Sequence, residues 1–82
     1  MYQSTITVTL RPSILDVQGK AVEQGIHSLG MKEDNNVRIG KSIHMTVEAK
    51  SEAEAKRITE EACKKLLANP VMEDYTFTLK KI

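Results

Sequence analysis

From Val37 to Val47 the odd-numbered positions read Val, Ile, Lys, Ile, Met, Val, an alternation that runs through Gly40 without slipping a register. A period of two sets Val37, Ile39, Ile43, Met45 and Val47 on one face of an extended chain, and Arg38, Ser42, His44, Thr46 and Glu48 on the other. As one strand, residues 37–48 would reach about 40 Å at roughly 3.3 Å per residue. A compact chain of 82 residues is only about 30 Å across. Part of such a strand would overhang and need a partner. The alternative is a hairpin at Gly40. A two-residue loop over 40–41 would turn His44 and Thr46 to the core side, whereas a three-residue loop over 40–42 would keep the apolar set together. The long strand, bent or bulged at Gly40, is the expectation carried forward.

Length and composition narrow the class. The 82 residues make one domain, 1–82, and the 40% hydrophobic and 28% charged content is that of an ordinary globular chain. No apolar run approaches the roughly 20 residues a membrane-spanning helix needs. The start, Met1-Tyr2-Gln3-Ser4-Thr5, is neither basic nor apolar, so a cytoplasmic protein is expected. A net charge of +1 is too weak a field to gather nucleic acid or an anionic membrane. One cysteine, Cys63, cannot close an internal disulfide. With no such staple and a modest core, self-association would add stability.

The elements alternate along the chain. Ile6, Val8 and Leu10 alternate with Thr5, Thr7 and Thr9, a half-buried strand that Arg11-Pro12-Ser13 ends. Asp16 is suited to cap a first helix whose apolar positions Val22, Ile26 and Leu29 share a face, and Gly30 to stop it. Lys32-Glu33-Asp34-Asn35-Asn36 is a polar turn into the long strand. Ser51 and Glu54 form a capping box for a second helix, with Ala55, Ile58, Ala62 and Leu66 inward and Glu52/Lys56, Glu60/Lys64 and Glu61/Lys65 paired outside. Asn69-Pro70 closes it, and Tyr75, Phe77 and Leu79 alternate with Thr76 and Thr78 in a last strand. The pattern β-α-β(β)-α-β predicts an α+β two-layer sandwich related to the ferredoxin-like plan. Its antiparallel sheet would carry two helices on one face and a long central strand bent near Gly40.

The catalytic inventory is thin. His27, His44 and Cys63 are the soft metal ligands, and they lie on three separate elements with no paired spacing. Phosphate-binding glycine loops and the G-x-S-x-G elbow are absent. Glu73-Asp74 beside Tyr75 reads as a turn cap before it reads as an acid/base pair. No active site, metal or cofactor of the chain's own is expected. Two surface features invite a partner instead. Thr5, Thr7, Thr9, Thr76 and Thr78 join Ser42, His44 and Thr46 on one sheet face, a flat carpet suited to packing by a second sheet. Ile14, Leu15 and Val17 lie outside any strand pattern, either stapling the first helix or docking on a partner.

Three stretches carry a family resemblance: Leu15-Asp16-Val17-Gln18-Gly19, Val37-Arg38-Ile39-Gly40-Lys41, and Lys65-Leu66-Leu67-Ala68-Asn69-Pro70-Val71-Met72-Glu73-Asp74-Tyr75. In order and spacing they resemble the signature blocks of the PurS family, the small subunit of phosphoribosylformylglycinamidine synthase. The resemblance spans nearly the whole chain. Val17 departs from it, since the family commonly has proline there, at the first helical position.

The resemblance implies a non-catalytic bridging subunit in de novo purine biosynthesis. Such a subunit self-associates as a homodimer or homotetramer, joins the glutaminase and the ATP-dependent synthetase, and supports ammonia transfer between them. The complex would use ATP and magnesium, neither bound by this chain. The partner interface implied by these blocks comprises Asp16, Gln18, Gly19, Arg38, Gly40, Lys41, Asp74 and Tyr75. A competing reading is a dimeric ferredoxin-like small-molecule-binding regulatory module. An RNA-recognition module is disfavoured, because only Tyr2, Tyr75 and Phe77 are aromatic.

Overall fold

Strand β1, Tyr2–Leu10, is the centre of the sheet in the computed structural model, which describes residues 1–33 and 35–82. Its alternation places Tyr2, Ser4, Ile6 and Val8 inward and leaves Gln3, Thr5, Thr7 and Thr9 on the opposite face. Strand β2, Gly40–Val47, and strand β3, Glu73–Lys81, flank it antiparallel in the order β2-β1-β3. Ile6 sits across from Ile43 on one side and Phe77 on the other, so a continuous apolar row crosses the sheet. The rings of Tyr75 and Phe77 stack at 6.5 Å between centroids.

Helix α2, Glu52–Ala62, covers that inward face and runs on into a π-helical turn, Cys63–Leu67. Ser51 caps it, its Oγ accepting from the Glu54 N–H at 3.2 Å. The fully buried or nearly buried positions are Ala55, Thr59, Cys63 and Ala68. Their spacing of four, four and five is the mark of the π turn, in which the Ala68 N–H donates to the Cys63 carbonyl at 3.0 Å. The extra residue carries Leu67 to the core and turns Leu66 out, 83% exposed. The sequence pattern, read as an unbroken α-helix, placed Leu66 inside. The outer ion pairs Lys64–Glu60 and Lys65–Glu61 lie where the i,i+4 spacing puts them.

The α+β class, the antiparallel sheet and the presence of two helices are as expected, but three details differ. The strand that starts at Gly40 is an edge strand, and the central strand is β1. No single strand spans 37–48 and no hairpin forms at Gly40, because the backbone N–H groups of Val37 and Ile39 donate to side-chain carboxylates on the first helix instead of to a strand. That helix, α1 (Val17–Ser28), does not share the sheet face with α2. Of its residues only Gly19 is buried, and it packs along no strand. Val22 and Leu29, expected inside, stand 39% and 78% exposed. The helix ends as expected, with Gly30 at φ 91° and the paired bonds Gly30 N–H to His27 O and Met31 N–H to Ile26 O. The turn expected over 32–36 includes Asp34, which lies outside the described residues.

The result is long and thin, 50 × 28 × 14 Å, with a radius of gyration of 16.1 Å against about 12 Å for a compact chain of this length. The overhang expected of a strand through Gly40 is absent, since β2 pairs with β1 from Gly40 to Val47, and the elongation goes with an α1 that packs along no strand.

Among the described residues, the contact of side-chain polar groups buried in the inner layer is between two hydroxyls. The hydroxyls of Ser4 on β1 and Thr59 on α2 meet at 2.7 Å, both at 0% exposure. Thr59→Val strands the Ser4 hydroxyl and is expected to lower stability by about 1–3 kcal/mol, whereas adding Ser4→Ala recovers most of the loss. Urea unfolding of the two variants checks this, and equal losses would refute it.

Candidate interaction surface

The loop after β1 reaches α1 through Asp16. Its extended backbone (φ −97°, ψ 95°) is that of an N-cap, and its Oδ1 accepts from the Gly19 N–H at 2.8 Å. The second oxygen, Oδ2, accepts from the Ile39 N–H at 2.6 Å. Two turns further along the same face, Glu23 Oε1 accepts from the Val37 N–H at 3.1 Å. Val37 and Ile39 thus lie along α1 as an extended segment whose ladder donors are taken by two carboxylates. Gly19 permits this, since a Cβ there would come within 2.4 Å of the Val37 carbonyl oxygen. These bonds hold the Asp16 carboxyl below its ordinary range, first through Gly19 and then through Ile39, with the Arg38 charge assisting. Glu23 is lowered chiefly by the Val37 N–H, with help from Lys20.

Arg38 faces the other way. Its Nη2 donates to the carbonyls of Ile14 at 2.9 Å, Arg11 at 3.0 Å and Leu10 at 3.4 Å. Gly40 begins β2 opposite Thr9, and a Cβ there would lie 2.6 Å from both the Thr9 methyl and the Val8 carbonyl oxygen. Lys41 pairs with Glu73 across the sheet end at 3.8 Å, and Asp74 pairs with Arg11 at 3.5 Å. Gln18 is exposed in the first turn of α1, and Tyr75 is half-buried against Phe77. Glu73 also caps the preceding turn, accepting from the Asn69 N–H at 2.7 Å, which is the capping role expected of the acidic pair.

The register explains why these residues meet. Val8 stands opposite both Lys41 and Tyr75, and Thr9 opposite both Gly40 and Asp74. Residues 16–19, 38–41 and 73–75 therefore converge on the end of the sheet where β1 stops and its neighbours start. A groove of about 310 Å³ there is lined by Asp16, Gln18, Ile39, Gly40 and Lys41 among others. His27, His44 and Cys63 are not part of it. Among the described residues no three His, Cys, Asp or Glu side chains gather as a metal-binding group. Cys63 is fully buried, and burial pushes its thiol pKa up. Glu23 and Arg11 are the contributors that sequence patterning did not single out. The signal for Glu23 was its i,i+7 spacing from Asp16, which puts both on one helix face.

Two uncovered surfaces flank this end. The outer sheet face carries the rows His44–Thr5–Thr78 and Ser42–Thr7–Thr76 at its centre, as the sequence pattern placed them, with Lys80 beside Gln3 and Asp74 beside Thr9 at its two ends. On α1 and its approach, Leu15, Val17 and Leu29 are 71%, 72% and 78% exposed.

Because the Asp16 and Glu23 carboxyls are lowered by folding, their contribution is present above the ordinary values of 3.8 and 4.5 and is lost as the pH falls through the lowered ones. Protection of the Gly19, Val37 and Ile39 amides, taken relative to their intrinsic exchange rates, is expected to fall as the pH drops through the lowered values of these two carboxyls. Asp16→Asn keeps an acceptor for Gly19 but turns an NH₂ group toward the Ile39 N–H, so it is expected to speed Ile39 exchange at neutral pH. Gly19→Ala is expected to cost about 1–3 kcal/mol and release the same segment. Unchanged Ile39 protection in both variants would show that the segment is held by other contacts.

The profile described as PurS, phosphoribosylformylglycinamidine (FGAM) synthase, matches residues 3–81. The chain is 42% identical over 82 residues to the phosphoribosylformylglycinamidine synthase subunit PurS of Bacillus subtilis, covering 100% of this chain and 96% of that one. To the Synechocystis subunit PurS it is 47% identical over 78 residues, 95% of this chain and 78% of the other. It superposes on a chain of the Thermotoga maritima PurLQS structure with a TM-score of 0.89 at 33% identity, covering 96% of each. The match of fold and sequence from end to end places it: this chain belongs to the PurS family of phosphoribosylformylglycinamidine synthase subunits.

Proposed function

We propose that the chain is a non-catalytic bridging subunit of phosphoribosylformylglycinamidine synthase in de novo purine biosynthesis. It joins the glutaminase to the ATP-dependent synthetase and supports the passage of ammonia from one to the other. In this reading ATP and magnesium are handled by the synthetase, and the chain works as a homodimer or homotetramer. The observation that carries it is the open shape: a slab 14 Å thin in one direction, with an uncovered threonine-rich sheet face and an apolar helix face that the chain does not bury itself. A fold that leaves such surfaces unsatisfied gains free energy by being covered. The sheet end where Gln18, Gly40, Lys41, Asp74 and Tyr75 converge supplies a polar rim for orienting a partner, since such rims set register more than affinity.

Reconstitution with the glutaminase and synthetase tests the proposal, comparing glutamine with free ammonia as nitrogen donor. Omitting the chain is expected to lower the glutamine-dependent rate by about tenfold or more, equivalent to about 1.4 kcal/mol, with the ammonia-dependent rate little changed. The double variant Gln18→Ala/Lys41→Ala is expected to move the same ratio in the same direction while its unfolding midpoint stays put. An equal fall in both rates on omission, or none, would overturn the bridging role.

A further inference from the structure

The chain leaves the sheet after Arg11 and comes back to it at Gly40, at adjacent points, because Leu10 ends β1 and Gly40 begins β2 opposite Thr9. Arg11 stays with the sheet. Its N–H donates to the Met72 carbonyl at 2.9 Å, and its guanidinium donates to the Pro70 carbonyl and pairs with Asp74. Beyond it the excursion is internally tied: Asp16 to Gly19 and Ile39, Glu23 to Val37, and Gly30 and Met31 to the last turn of α1. It lacks an extended packed face against the sheet or α2, and the groove of about 310 Å³ opens between its first helical turn and the sheet end.

Two ties cross its base: a local turn in which the Ile14 N–H donates to the Arg11 carbonyl at 2.9 Å, and Arg38, which joins the returning chain to the outgoing one. One nitrogen, Nη2, grips Leu10 and Arg11 on the sheet side and Ile14 on the outgoing chain, while its own backbone lies on the returning chain. We propose that the described residues of this excursion, 12–33 and 35–39, form a rigid arm whose angle to the sheet is set by the Arg38 brace, with pivots at Arg11–Pro12 and Ile39–Gly40. Apolar burial holds α2 to the sheet. The arm is held by hydrogen bonds to carbonyl groups, which are short-ranged and directional, so losing them frees an angle without opening the core. The brace thus fixes the placement of the apolar α1 face relative to the threonine face, whichever partner covers either.

The test is a distance distribution between nitroxide labels at Gln24→Cys on α1 and Lys56→Cys on α2, both exposed positions, by pulsed electron resonance. Labelled chain is diluted with unlabelled chain so that only intrachain pairs report, and the native Cys63 is fully buried. The parent is expected to give one narrow peak, and Arg38→Ala and Arg38→Met a broad distribution. Arg38→Lys is expected to restore the narrow peak, because an ammonium offers three donors on one nitrogen. Amide protection within α1 and cooperative unfolding of the sheet are expected to persist in all three variants. A narrow peak in the Ala and Met variants would overturn the brace, and so would failure of Lys to restore it. Loss of α1 protection or of cooperative unfolding would overturn the rigid arm, since Arg38 would then be holding the fold and not an angle.

Discussion

The Asp16 carboxylate is the contact on which the rest of the arrangement turns. Its two oxygens accept from Gly19 and Ile39, so one side chain both starts α1 and ends the extended segment before β2. A backbone N–H that is not paired in a sheet must find another acceptor or stay in water. Here the acceptors for Val37 and Ile39 are carboxylates seven residues apart on one helix. That choice keeps β2 to Gly40–Val47, draws α1 off the end of the sheet and forces Gly19 to lack a side chain. It also places the groove, since the first turn of α1 can come no closer to Gly40 than the Asp16–Ile39 contact allows.

The sheet and α2 form a separate and more conventional layer. The inward face of β1 is filled by Ile6, Val8 and Tyr2 with Ser4 between them, and α2 with the π turn that follows it meets this face with small residues, Ala55, Cys63 and Ala68, that allow close approach. The Ser4–Thr59 hydroxyl pair satisfies the polar groups that this close approach buries. The π turn then adds the one residue needed for Leu67 and Ala68 to reach the apolar cluster under Tyr75 and Phe77. All of this covers one face. The other, with its rows of threonine, serine and histidine, has hydroxyls at regular spacing and little apolar area, a surface suited to another flat surface and poorly suited to enclosing a small molecule.

Antiparallel register does the remaining work. The blocks 15–19, 37–41 and 65–75 are far apart in the chain, yet β1 ends where β2 and β3 begin, so their members share one end of the sheet. Some of them, Asp16, Gly19 and Arg38, are occupied with holding that end together. Gln18, Lys41 and Asp74 project from it, so the structural and the outward-facing members of the same blocks are neighbours. A substitution that loosens the first group would also displace the second.

Local patterning determined the strands of β1 and β3, the caps at Asp16 and Ser51, the stop at Gly30, the outer ion pairs and the composition of both sheet faces. Each depends on neighbours within a few residues or on strict alternation. Alternation could not tell where the strand through Gly40 begins, because Val37 and Ile39 look the same whether their N–H groups meet a strand or a carboxylate. That was decided by Asp16 and Glu23, more than ten residues away. Nor could a helical stripe announce a π turn or show that α1 would be left without a sheet to cover. Arg38 read as a charge at a bend and proved to be the brace across it, since carbonyl groups from residues 10 to 14 come within its reach only once the chain has returned. Periodicity is a property of single segments, and these outcomes depend on which distant donors and acceptors find each other first.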